Sequence, residues 1–136
     1  MTMKKIIAML LVVVTLFLVV SCGLSRKPED FKEALEKKYG KDIEVELTDD
    51  EDEIELLAMW LGLDADGVTA VLTIELELDD DEEGFVIYCE DSKTAKNMKA
   101  DCEELIDDYD SDYIVQQSGN NVFVGSEELW KAIKGV

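Results

Sequence analysis

Polar and apolar positions alternate along most of this chain with periods that mark its elements. Phe31, Ala34, Leu35 and Tyr39 recur at the spacing of one helix face, between a proline at 28 and a glycine at 40. Proline suits the first helical position and glycine the C-terminal cap, so a helix is expected over Pro28–Tyr39. Residues 43–47 alternate strictly, which is the period of a half-buried strand. Residues 51–63 read as a second helix and residues 68–78 as the clearest strand. In that strand Val68, Ala70, Leu72, Ile74, Leu76 and Leu78 point one way, and Thr69, Thr73, Glu75 and Glu77 the other. An acidic turn over residues 79–84 leads to a third strand at 85–89. Asp91 or Ser92 can cap a long helix reaching about Tyr109. Ser118-Gly119-Asn120-Asn121 then separates two short strands, and Gly and Asn tolerate the positive φ of a hairpin turn. Ser126 caps a last helix containing Leu129, Trp130 and Ile133.

The expected order is α-β-α-β-β-α-β-β-α. Alternation of wet and dry positions implies an antiparallel sheet with one solvated face. The expected fold class is therefore α+β, a two-layer domain whose helices cover one face of the sheet.

The N-terminus has a different character. Lys4 and Lys5 precede a 15-residue apolar run, residues 6–20. That is the length of a signal-peptide core and short of the roughly 20 residues that cross a bilayer. The run ends in Val19-Val20-Ser21-Cys22, which resembles the lipobox of bacterial lipoproteins: an aliphatic residue three before the cysteine and a small one just before it. The resemblance implies that Cys22 carries a diacylglycerol and becomes the first residue of the mature chain. It divides the chain into a signal peptide (1–21), a lipidated tether (22–27) and an acidic extracytoplasmic α+β domain (28–136). An ordinary cleaved signal, or an uncleaved anchor with an incidental cysteine, is the alternative. From Gly23 to Lys27 the tether reaches under about 20 Å, which would hold the domain close to the membrane. The overall pattern resembles small uncharacterised membrane lipoproteins of Gram-positive bacteria. That likeness implies a lipid-anchored location outside the cytoplasmic membrane, and no mechanism.

Composition narrows the functions. Among 136 residues, 13 Lys and Arg face 33 Asp and Glu, a formal net charge of −20, and histidine is absent. Without an imidazole there is no Ser-His-Asp or Cys-His nucleophile pair and no histidine-ligated zinc. The acidic balance argues against nucleic acid, whose affinity comes from cationic side chains on phosphates. Residues 22–41 hold six basic and four acidic groups, whereas residues 42–136 hold five basic and 29 acidic ones. A basic stretch beside the lipid suits an anionic membrane surface; alternation of Lys and Glu for solubility is the equal alternative.

Several residue groups have spacings that bear on chemistry. Cys89 ends a strand and Cys102 lies about 15 Å along the following helix, beyond the roughly 7 Å that a disulfide spans, so both are expected as free thiols. Asp79, Asp81, Glu83, Gly84 and Glu90 take the first, third, fifth, sixth and twelfth places of an EF-hand loop, but strand pattern flanks them where helices are needed. A looser calcium site at the hairpin tip, Asp79, Asp80 and Asp81, is the weak metal candidate. Asp108, Asp110 and Asp112 share the spacing without the glycine and read as a solvated helix end. Glu75 and Glu77, about 6.6 Å apart, have the separation of paired catalytic carboxylates but no apolar setting that would raise one pKa. The second helix is apolar nearly all round: Ile54, Leu57, Ala58 and Leu61 form one stripe, and Leu56, Met59, Trp60 and Leu63 another. It is expected between the sheet and the first helix. Should the first helix lie elsewhere, Leu56, Trp60 and Leu63 become an interaction patch. The sequence thus points to a binding or interaction domain with no cofactor and no catalysis. A calcium-binding domain is the alternative, and a carboxylate hydrolase a distant one.

Overall fold

The computed structural model describes residues 27–109 and 111–136. Among these residues four helices and five strands follow in the expected order. Helix α1 spans Pro28–Tyr39, with Pro28 in its first turn and Gly40 at φ 57° closing it. A 3-10 turn, Gly40–Asp42, leads into β1, Ile43–Thr48. Helix α2, Glu51–Leu61, starts at Asp50, whose carboxylate accepts from the N–H of Asp52 and of Glu53 at 2.9 and 3.3 Å. It stops at Gly62, left-handed at φ 73°. Strands β2, Val68–Glu77, and β3, Asp81–Cys89, form the central hairpin. Asp91 caps α3, Ser92–Asp108, by accepting from Thr94 N–H at 2.7 Å. Strands β4, Ile114–Ser118, and β5, Asn121–Gly125, form the second hairpin, and α4, Glu127–Ile133, follows the Ser126 cap. The segment expected as a signal peptide, the expected lipidation site Cys22, the tether residues up to Arg26, and Asp110 lie outside the described residues.

All strand pairs are antiparallel, in the order β1-β2-β3-β5-β4. The class is α+β with an antiparallel sheet, as the alternation implies. The layering is richer than one covered face. Phe31 and Leu35 of α1 and Leu129 and Ile133 of α4 pack with Leu72, Ile74, Val86 and Phe123 in one cluster. Ala95, Met98 and Cys102 of α3 pack with Ile87, Cys89, Val122 and Val124 in another, on the opposite face. The cause is local. Strand β5 is buried at all five positions and β3 at five of nine, so these central strands present apolar side chains to both faces, and each face needs a cover.

Strand β2 shows a second difference. Its register slips between Val68 and Ala70. This bulge moves Val68 to the second cluster while Ala70 stays in the first. Strict alternation had put both on one face.

Candidate functional site

The second face of the sheet divides into an apolar half and an acidic half. In the apolar half Val71, Phe85, Ile87 and Val124 form a floor, with α2 on one side and α3 on the other. The two helices do not close over it. Ile54 is the one buried residue of α2, whereas Ala95, Met98 and Cys102 anchor α3. Between them lies a cleft of about 200 Å³ whose walls include Leu57 and Leu61 on one side and Leu105, Ile106 and Tyr109 on the other. Among the described residues Asp64, Tyr109, Ser111 and Tyr113 are the only lining residues whose side chains carry oxygen.

The acidic half begins where that floor ends. Phe85 pairs with Thr73; two positions along, Glu83 pairs with Glu75, which pairs in turn with Glu44 on β1. Side chains two apart on a strand share a face. Glu44, Glu75 and Glu83 therefore form a row across three strands at the end of the cleft. Tyr113 ties the halves together: it lines the cleft and donates its hydroxyl to Glu83 Oε1 at 2.5 Å. Burial, reinforced by that bond, raises the Tyr113 hydroxyl pKa well above its ordinary value. Like charges directly opposite each other destabilise a sheet. Residues 42–92 hold twenty acidic and no basic side chains. Among the described residues the ion pairs lie elsewhere, at Lys32–Glu36, Lys99–Glu103 and Lys131 with Glu127 and Glu128.

The outer stripe of α2 is open. Helix α1 packs on the other face of the sheet, so the expected burial of α2 between sheet and first helix does not occur. Leu56 is 55 % exposed, Met59 74 % and Trp60 82 %. Leu63 departs from this stripe: it is half-buried, lines the cleft and packs on the second cluster. Trp60 sits three residues from Leu57, hence beside it on the helix surface. Apolar surface thus runs from the cleft over α2, and Tyr109, 77 % exposed, extends the opposite wall. Such exposed apolar area on an otherwise charged domain makes this face the candidate site.

The other candidates fall apart or stay on the surface. Asp79, Asp80 and Asp81 are exposed, and among the described residues no three acidic or cysteine side chains converge to hold a metal. Gly84, the would-be glycine of an EF-hand loop, lies inside β3 opposite Gly125. Glu75 and Glu77 are exposed on the acidic half, outside the apolar setting a general acid needs. Cys89 and Cys102 are buried free thiols in one cluster, as expected. Burial, with Asp91 and Glu90 nearby, pushes Cys89 up to about 11; burial, with Asp101 and Cys89, pushes Cys102 up to about 12.

These thiols set an alkaline limit. Both keep their protons when folded through a range in which unfolded thiols, with an ordinary value of 9.0, ionise. The folded state then binds more protons, so stability is intact below about pH 9 and falls as pH rises toward 11. Urea midpoints measured from pH 8 to 10.5 should fall more steeply for the native chain than for Cys89→Ala/Cys102→Ala. Equal slopes would place the thiols in water.

Compared with protein-family models, with curated proteins and with solved structures, the chain finds no match. The residues missed in the sequence, Phe85, Tyr113 and Tyr109 as cleft walls and Glu83 as the partner of Tyr113, come together through strand order and register. The unbroken apolar runs at 85–89 and 122–124 were the one signal of a second covered face.

Proposed function

We propose that this chain is a membrane-anchored bacterial lipoprotein whose acidic domain binds a protein partner on the outer side of the cytoplasmic membrane, without catalysis. The observation that carries the binding role is the exposed apolar face of α2 beside an unfilled apolar cleft. The anchor rests on Val19-Val20-Ser21-Cys22 after its apolar run.

Metabolic labelling with a radioactive fatty acid tests the anchor. The native chain should be labelled and sediment with membranes, and Cys22→Ala should be unlabelled; undiminished label on the mutant ends the lipoprotein reading. The α2 face is tested through stability. Leu56→Ser/Trp60→Ser should leave the urea midpoint nearly unchanged, within about 0.5 kcal/mol, because both side chains stand in solvent. A cost of several kcal/mol would make the face part of the core.

A further inference from the structure

We infer that the partner segment is a cationic amphipathic helix: one apolar side chain enters the cleft between α2 and α3, and its Lys or Arg residues sit over Glu44, Glu75 and Glu83. This rests on the binding role proposed above and names the chemistry of what is bound.

The size of the cleft decides what enters it. At about 200 Å³ it exceeds the roughly 150 Å³ apolar cavity that takes up benzene, and falls below the roughly 300 Å³ at which pockets for whole small molecules begin. A single aromatic or branched side chain fits. The apolar surface continuing over Leu57, Leu56 and Trp60 then gives the rest of an apolar helix face something to lie on.

Charge decides the rest. The carboxylate row begins one same-face position past Phe85 of the cleft floor, so one amphipathic segment reaches both. Each of the three acids stands opposite another acid, and a cation placed among them relieves that repulsion. The same charge argues against a lipid surface as the occupant. Helices that lie on membranes carry Lys and Arg beside their apolar face, whereas α2 carries Glu51, Asp52, Glu53 and Glu55 and would be repelled by anionic headgroups.

The test uses the full chain in zwitterionic nanodiscs, carrying Trp130→Phe so that Trp60 is its sole tryptophan. The probe is a synthetic Leu/Lys peptide of about five helical turns with leucines along one face. Its saturable binding should shift Trp60 emission to the blue and weaken as salt rises. A peptide of the same composition, scrambled to destroy the apolar face, should bind at least about tenfold more weakly, and a Leu/Glu peptide with the original pattern should not bind. Glu75→Gln and Glu83→Gln should each raise the dissociation constant about three- to tenfold, the cost of one lost charge contact. Glu75→Gln, whose carboxylate lies outside the Tyr113–Glu83 hydrogen bond, should not lower the urea midpoint and should raise it slightly at low salt, which separates a binding role from a structural one. Equal affinity for the scrambled peptide would reduce the site to unspecific charge and overturn the proposal. So would Trp60 emission already shifted by the nanodisc before peptide is added, since the face would then be a membrane contact. A dimer in sedimentation that Trp60→Ser abolishes would make the occupant a second copy, and overturn it likewise. An acylated chain that binds no peptide keeps its anchor and loses this partner. An unacylated chain that binds the patterned peptide loses the anchor alone.

Discussion

Gly125→Val will leave the domain largely unfolded at room temperature, and Gly125→Ala will cost about 3 kcal/mol. Gly125 ends β5 directly opposite Gly84 of β3, and the two backbones approach more closely there than side chains allow. A Cβ on Gly125 would sit 2.7 Å from Gly84 Cα and 2.8 Å from the Glu83 carbonyl oxygen. Neither atom can rotate away, because both belong to the backbone of the partner strand. From the other side, a Cβ on Gly84 would meet the Val124 carbonyl oxygen at 2.8 Å and Leu129 Cδ2 at 2.9 Å. Relief therefore requires β3 and β5 to separate, which loosens the seat of α4 as well. Overpacking costs about 1–3 kcal/mol where flexible side chains absorb it, so a backbone clash belongs at the top of that range or above. A domain has only about 5–15 kcal/mol in total, and the two further carbons of valine exhaust most of it. The double variant Gly84→Ala/Gly125→Ala should cost less than the sum of the singles, since one strand separation relieves both clashes. Urea unfolding followed by circular dichroism measures all of these. A Gly125→Ala midpoint equal to the native one would show that the strands are not in contact at this pair.

Phe123→Ala should lose about 3–5 kcal/mol, the largest loss expected from any single truncation in this core. Phe123 is fully buried in β5, on the face covered by α1 and α4. Its ring lies 5.2 Å from that of Trp130 at a 35° tilt, an arrangement that adds about 0.5–1.5 kcal/mol to burial. Gly125, which has no side chain, cannot fill the gap, since the ring occupies the space beside it: its Cζ would lie 2.9 Å from a Cβ there. Trp130 is half-buried against this ring, so its emission should move to the red in the alanine variant. Phe123→Leu should retain most of the stability and leave the emission near the native value. A loss under about 1 kcal/mol for Phe123→Ala would mean that β5 does not carry the core.

The two glycines show why part of the fold was hidden in the sequence. Gly84 sits in an acidic stretch and read as the end of a turn, yet β3 begins at Asp81 and carries Gly84 as a regular strand position. Nothing local distinguishes a glycine that turns the chain from one that lets a second strand come close. Val68 leaves the face that alternation predicts for a related reason: a bulge changes no residue type, only the pairing partner. Leu63 continued a helical stripe on paper, but Gly62 takes the left-handed conformation and turns Leu63 into the cleft. Leu56 and Trp60 were legible as an apolar stripe, and only the position of α1 decided that the stripe stays open.

What the sequence determined alone is what depends on neighbours within a few positions. The proline start at 28, the caps at Asp91 and Ser126, the glycine stop at 40, the period of each element and the hairpin at Gly119-Asn120 act over one or two turns of chain, and the α+β class follows from their order. Charge is equally local, so the acidic character of residues 42–92 needs no fold to be read. The tertiary structure alone decided the strand order, the two covered faces, the row Glu44–Glu75–Glu83 and the cleft beside it. Each of these joins residues tens of positions apart. Their contacts depend on which strand pairs with which and in what register, and burial of both faces of β3 and β5 selects that pairing only when the whole chain is packed.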